Sequence, residues 1–271
     1  MNQDARPTLP HPEMSPNERE KLRQIINKEY RLRPPTIGII GASGVGKSFT
    51  INTMFKTDLP TSDTVACTKE FRRNDLAVNV TGGDLAGEEV RLRVIDAPGL
   101  GEDIQVDPKY LELYREQLPR CDVVLWVLTA RNRAIALDQM YLEQLSEFSD
   151  KMVFGINQVD LVEPLNWNYM LNIPSHEQSK NIAHIEQDRK SSIESVLQRS
   201  VEMIPYSAKQ KFDLQRLFTA LTEACPQDRS WILSAIKNFN HLDFLPDDVR
   251  ESVIEQLAHE EKYNDEDQTI T

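Results

Sequence analysis

The sequence predicts an α/β fold: a three-layer sandwich on a mostly parallel sheet with one antiparallel strand, plus helices at both ends. Three observations carry this. Short Val, Ile and Leu runs alternate with helical patterns from Ile37 to Ala224, as in a parallel sheet covered on both faces. A glycine-rich turn, Gly41 to Gly46, follows the first apolar run and opens the first helical one. The runs Leu76–Val80 and Val90–Ile95 are joined by the turn-rich residues 81–88, which reads as an antiparallel hairpin within the sheet.

Taken in order, residues 1–16 carry Pro7, Pro10, Pro12 and Pro16 with little apolar content, so a disordered arm is expected. Residues 17–34 form an N-terminal helix, because Leu22, Ile25, Ile26 and Tyr30 fall at helical spacing before Pro34 and Pro35 stop it. One face of that helix must dock, and its slightly positive charge also suits a membrane surface. The main domain covers 35–225. Its strands are Ile37–Ile40, the hairpin pair, Cys121–Leu128, Met152–Ile156 and Met203–Tyr206. Its helices are Val45–Phe55, Ala134–Phe148, His176–Gln198 and Leu214–Ala224, with a loop around Pro164 and Pro174. Residues 226–271 read as an acidic helical extension. Its apolar stripes, Trp231 to Phe239 and Val249 to Leu257, pack on the main domain or meet a partner.

Composition bounds the function. With 271 residues and 39% hydrophobic content, one sizeable domain with additions is expected. A net charge of -12 argues against broad nucleic-acid or anionic-lipid binding. The acid is concentrated: residues 225–271 hold 11 Asp and Glu against 4 Lys and Arg. Cys67, Cys121 and Cys225 are odd in number and far apart, which suits neither a disulfide framework nor a zinc site. A reducing, cytoplasmic location follows as an expectation. So does the lack of a signal peptide or transmembrane segment, since no apolar run approaches the roughly 20 residues a span needs.

Gly41-Ala42-Ser43-Gly44-Val45-Gly46-Lys47-Ser48 matches G-x-x-x-x-G-K-S between a strand and a helix. Its backbone N–H groups and the helix N-terminus suit phosphates, Lys47 suits their β- and γ-oxygens, and Ser48 suits Mg2+. Phe49, next on the helix, belongs to the same nucleotide-binding set. Asp96, ending the strand Val90–Ile95, begins Asp96-Ala97-Pro98-Gly99. An acid there lies beside the first loop, where open α/β sheets collect ligands, and is expected to hold Mg2+ through water. The Gly99 N–H is placed to sense a γ-phosphate. Asn157-Gln158-Val159-Asp160 and Ser207-Ala208-Lys209 each follow a later strand.

These four motifs, in this order over residues 36–224, resemble those of Ras-like and especially Era-like P-loop GTPases. The family signature is a P-loop, D-x-x-G, N-K-x-D and S-A-K. The resemblance implies GTP or GDP with Mg2+ as ligands and hydrolysis of GTP. It implies that Asp160 accepts from guanine N1 and N2, that Asn157 ties the base loop to the P-loop, and that the Ala208 N–H reads guanine O6 while Lys209 covers the base. Residues 57–71 would be switch I, with Thr68 completing the metal's ligands and contributing to catalysis, and Thr64 as runner-up. Switch II would begin at Leu100-Gly101-Glu102, and the string Pro98 to Glu102 resembles bacterial, often prophage-associated, members.

The chain also departs from the family. Gln158 replaces lysine, which lowers affinity but spares guanine preference. Leu100 stands where Ras-type enzymes have a water-orienting glutamine. Gly44 stands where potassium-activated relatives have asparagine, so potassium is not expected to compensate. Slow turnover is therefore expected, accelerated by a homodimer across the nucleotide face or by an unidentified protein effector. Residues 161–175 lengthen the usual spacing and read as a specificity element or a solvated loop. His176 and His184 read as surface residues, and no KH-type RNA-binding module follows the core. The alternatives are a GTP- or GDP-dependent interaction module with little hydrolysis and, less well supported, an ATP-using kinase.

Overall fold

The computed structural model describes residues 15–25, 28, 32–59, 71–79, 89–101, 107–131, 135–227, 229–230 and 233. Its main sheet contains β1 (Thr36–Gly41), β2 (Arg72–Asn79), β3 (Glu89–Asp96), β4 (Val123–Thr129), β5 (Met152–Asn157) and β8 (Met203–Pro205). Their order is β2-β3-β1-β4-β5-β8. All neighbours are parallel except β2 and β3, which pair antiparallel from Arg72↔Asp96 to Asn79↔Glu89. This is the architecture expected from the sequence.

Burial explains the strand sequences. Every residue of β1 is buried, as its near-continuous apolar run requires of a central parallel strand. Period-two alternation then divides the strands between two cores. Val123, Leu125 and Val127 join Ile37 and Ile39 on one face, under α2 (Lys47–Phe55) and α6 (Leu214–Ala224). Val124, Trp126 and Leu128 join Ile40 on the other, under α3 (Asp107–Gln117), α4 (Ala136–Gln144) and α5 (His176–Leu197). Helix, sheet and helix make the three layers.

Several elements differ from the sequence expectation. α3 was not anticipated, although Asp107 and Pro108 suit a first turn and Leu111 and Tyr114 bury one face. The helix expected to reach Phe148 ends at Gln144 and passes into a 3-10 turn, Ser146–Lys151. Residues 161–175 are no plain loop: β6 (Trp167–Asn168) and β7 (Ile173–Pro174) pair as an antiparallel ribbon. The N-terminal helix α1 is described over Pro16–Ile25, and its described side chains are exposed. Of the arm expected at 1–16, residues 1–14 lie outside the described residues, as does the helical extension beyond Leu233, while Pro16 already begins α1. Among the described residues, no helix is long and apolar enough to cross a membrane.

Candidate functional site

The carboxyl ends of β1, β3, β5 and β8 place four loops on one edge of the sheet. The first runs from Gly41 to Gly46 and ends in α2. Gly46 has φ +91, and a Cβ there would stand 2.5 Å from Asn157 Nδ2; a side chain would be both strained and obstructed. Lys47 is buried, and its Nζ donates to the Gly41 and Ala42 carbonyls at 3.2 and 2.8 Å. Its ammonium thus arches over the loop whose N–H groups would face phosphates. Thr50, one turn along α2, donates to the Gly46 carbonyl (2.8 Å) and lies 2.9 Å from the buried Tyr206 hydroxyl. The glycine-rich loop is therefore supported from beneath by Tyr206, which follows β8. Phe49 on α2 is exposed.

Asp96 is fully buried at the end of β3. Ser48 Oγ donates to its Oδ2 at 2.8 Å, so two hard oxygen groups meet beside Lys47. The chain then runs along the phosphate loop: Leu100 N–H donates to the Gly41 carbonyl (3.3 Å), and Ser43 N–H to the Leu100 carbonyl (3.2 Å). Only glycine fits at 99, since a Cβ would stand 2.7 Å from the Ser43 Cα. The Leu100 side chain is buried in the core beneath α3 and α4. Two helices hold this strap. Tyr114 of α3 donates to the Pro98 carbonyl at 2.6 Å, and Gly101 N–H donates to both Asp107 carboxylate oxygens at 3.2 Å. The Tyr141 hydroxyl also donates to Asp107. Burial and the Asp107 carboxylate push the Tyr141 phenol well above its usual range, so it remains a donor.

At the ends of β5 and β8 the remaining loops interlock. Asn157 Nδ2 donates to the Val45 carbonyl (2.9 Å), and its Oδ1 accepts from the Ala208 N–H (3.0 Å). One amide thereby ties the first loop to the last. Asp160 is buried and accepts from Ser207 Oγ at 2.6 Å. Gln158, at φ +67, accepts from Thr129 Oγ1 (2.8 Å) and donates to the Gly44 carbonyl (3.4 Å). Lys209 is exposed beside them. Thr64 and Thr68 lie outside the described residues. The structure thus gathers at one edge the loops that carry the candidate residues it describes, with Phe49 exposed on the helix that follows the first loop.

Sequence reasoning missed Tyr114, Asp107, Tyr141, Thr129, Thr50 and Gln178. Only Gln178 had a local signal. Ser175 to Gln178 is an S-x-x-Q capping pattern, and Ser175 does accept from the Gln178 N–H. The Gln178 side chain instead donates to the Asp160 and Val162 carbonyls at 3.3 and 2.8 Å, bracing the loop that carries Asp160. His176 and His184 are exposed, and no cluster of metal-ligating side chains occurs among the described residues.

A parallel sheet with a glycine-rich loop opening α2, an acid ending β3, and interlocked loops after β5 and β8 defines a P-loop nucleotide-binding domain. Residues 36–158 match the family model described as a 50S ribosome-binding GTPase, and this part of the chain is similar to Era-like P-loop GTPase domains. Two proteins of Escherichia coli, the uncharacterized YfjP and YkfA, are 38% and 40% identical over 167 residues. That stretch is 60% of this chain and 54% of each relative, so the chain spans about half the length of the curated relatives it matches. GTPase Der of Buchnera aphidicola is 28% identical over 131 residues, 46% of this chain and 26% of that protein. Among solved structures, Aquifex aeolicus Era bound to GDP.AlF4- superposes with a TM-score of 0.51 at 19% identity, covering 71% of this chain and 57% of that one. The LeoA bacterial dynamin GTPase from ETEC superposes with a TM-score of 0.51 at 14% identity, covering 94% and 46%. At these identities the likeness concerns the fold.

Proposed function

We propose that this chain is a guanine-nucleotide switch that binds GTP and GDP with Mg2+ and hydrolyses GTP slowly to GDP and phosphate. The observation that carries the reading is the buried Asp160 carboxylate, held by Ser207 and flanked by the Asn157 amide that joins Val45 to Ala208. Guanine offers two N–H donors to such a carboxylate where adenine offers none, and a buried acceptor left unpaired costs about 1–3 kcal/mol. The Ala208 N–H suits guanine O6, and Lys209 and Gln158 stand beside the base. Gly41, Ala42, Ser43, Gly44, Val45 and Gly46 bind phosphate through their backbone, and Lys47 offsets charge on the transferring group.

The Ser48 hydroxyl and the Asp96 carboxylate fit Mg2+, which favours oxygen ligands from one or two protein groups together with phosphates and water. Bound there, the ion would neutralise charge between the β- and γ-phosphates. Thr68 is proposed as a further ligand in the GTP state, with residues 57–71 as switch I. Gly99, packed on Ser43, is proposed to report the γ-phosphate.

Slow turnover follows from Leu100. Its side chain lies in the core, so this position supplies no polar group to orient a water. Self-association across the nucleotide face, or an unidentified protein effector, would supply what is missing. A cytoplasmic location and the division into arm, N-terminal helix, GTPase domain and acidic extension belong to the same reading. The same leucine favours a second reading, a nucleotide-dependent interaction module that barely hydrolyses GTP.

Titration of labelled GTP, GDP and ATP with Mg2+ tests the reading. Guanine-selective binding is expected, with selectivity lost in Asp160→Ala and affinity weakened in Lys47→Ala; equal binding of ATP would overturn it. Single-turnover phosphate release separates the two versions. Slow but measurable release favours the hydrolase, and none favours the interaction module.

A further inference from the structure

The segment between β5 and α5 touches both loops that the nucleotide reading assigns to guanine, and its contacts close into a circuit. The Asp160 carboxylate accepts from Ser207 Oγ at 2.6 Å. The same hydroxyl oxygen accepts from the Gln210 N–H at 3.0 Å, and Ser207 and Phe212 exchange backbone bonds of 3.1 and 3.0 Å. Ser207 to Phe212 is therefore one tight turn, with Ala208 and Lys209 inside it. The β6–β7 ribbon seats on that turn. Trp167 is buried and meets the Phe212 ring edge-on at 5.2 Å. Asn172 accepts from Trp167 Nε1 (3.2 Å) and donates to the Gln210 carbonyl (2.8 Å). Its φ of +51 is a left-handed backbone that asparagine tolerates better than most residues.

Past the ribbon the chain enters α5, and the circuit closes. Ser175 caps the helix by accepting from the Gln178 N–H at 3.2 Å. Gln178 Nε2 donates to the Asp160 and Val162 carbonyls at 3.3 and 2.8 Å, one on each side of Leu161. Further along α5, Asn181 donates to the Glu163 carbonyl at 2.7 Å. Gln178 is fully buried, and its Oε1 has no hydrogen-bond partner among the described residues. A buried acceptor without a partner is costly, so packing alone would favour an apolar side chain of this size. What glutamine supplies there, and an apolar side chain does not, is the pair of bonds donated to the Asp160 loop. Asp160 is thus held at its carboxylate by Ser207 and at its carbonyl by Gln178, and the insertion joins the two holds through Asn172.

We propose that residues 161–178 form a specificity brace, in which Asn172 and Gln178 are positioning residues that keep the Asp160 carboxylate and the Ala208 N–H in register for one guanine. The brace rests on the proposed nucleotide reading. A carboxylate that meets two N–H donors at once tolerates little displacement, because hydrogen bonds weaken steeply as they bend. Loss of either positioning residue leaves the phosphate contacts at Gly41 to Lys47 in place and loosens the base end of the site.

The test compares GDP, IDP and ADP with Mg2+ on the full chain by calorimetric titration. The inosine base keeps the N1–H and O6 of guanine but lacks its 2-amino group, so the ratio of GDP to IDP affinity reads the aim of Asp160. The wild type should prefer GDP to both. Gln178→Met, which keeps the volume, and Asn172→Gly, which keeps the left-handed backbone, should each weaken GDP binding about fivefold or more, with IDP binding changing less, so that the ratio falls. Met170→Ser, at the 82% exposed tip of the ribbon, should match the wild type. A brace that serves folding alone would lower the melting temperature and weaken GDP and IDP by the same factor; that outcome, or unchanged binding, overturns the proposal. Should Gln178→Met fail to fold, Asn172→Gly decides, since Asn172 is only partly buried. A wild type that binds ADP as well as GDP overturns the nucleotide reading and the brace with it, whereas a guanine-selective wild type whose ratio survives in both variants overturns the brace alone.

Discussion

Gln158 stands where the family has lysine, yet it is a structural strut: it spans Thr129 and the Gly44 carbonyl and so links β4, β5 and the phosphate loop. A partly exposed neutral hydrogen bond contributes about 1 kcal/mol. Gln158→Ala and Thr129→Val should therefore each weaken GTP and GDP binding about fivefold while leaving the preference over ATP unchanged, measured by calorimetric titration. Loss of that preference would mean that Gln158 reads the base. Cys121 shows a different effect of surroundings. Burial pushes its thiol from 9.0 up to about 12. Because the raised value favours the protonated thiol in the folded state, this contribution to stability is complete below pH 9.0 and is lost as pH climbs towards 12. In the native protein, Cys121 should resist iodoacetamide at pH 8 and react after unfolding, as peptide mass spectrometry would reveal.

At the scale of elements, α3 is the part whose absence from the sequence reading matters most. Its tyrosine and its first-turn aspartate grip the strap from Pro98 to Gly101. Tyr114→Phe leaves the Pro98 carbonyl without this donor in a buried setting, at a cost of about 1–3 kcal/mol. A lower melting temperature and faster hydrogen exchange at Leu100 and Gly101 are the expected results. An unchanged exchange rate there would show that Asp107 alone holds the strap. The strands leave equally little slack. A Cβ on Gly155 would stand 2.8 Å from the Tyr206 ring and 3.2 Å from Leu125. Gly155→Ala should cost about 1–3 kcal/mol by overpacking, and it should disturb the Tyr206 support of Thr50 enough to weaken nucleotide binding as well.

Across the whole molecule, the sheet's amino edge is closed by Asp122. Its carboxylate accepts from the Thr36 N–H at 2.8 Å and faces Arg33 at 3.6 Å and Arg229 at 3.5 Å. Residues far apart in sequence, on either side of the domain, thus meet opposite the nucleotide edge. Asp122→Ala should destabilise the chain by about 3 kcal/mol, since it strips a buried partner from Arg229, without altering guanine selectivity; chemical denaturation with parallel titration would check both. The alternation of apolar strands and helices, the hairpin, and the order of the four loops were legible in the sequence because each is a local pattern: a run, a period or a string ending a strand. The polar helix α3 was not, since its two buried anchors are too few to mark a face. Nor was the ribbon at 161–175, whose apolar residues point outward at its tip. Tertiary structure alone decided which side chains complete the site. Gln158 reaches Gly44 across 114 residues, and Gln178 reaches the Asp160 carbonyl across 18. Such contacts arise only when the sheet order sets distant loops side by side, and no spacing along the chain encodes them.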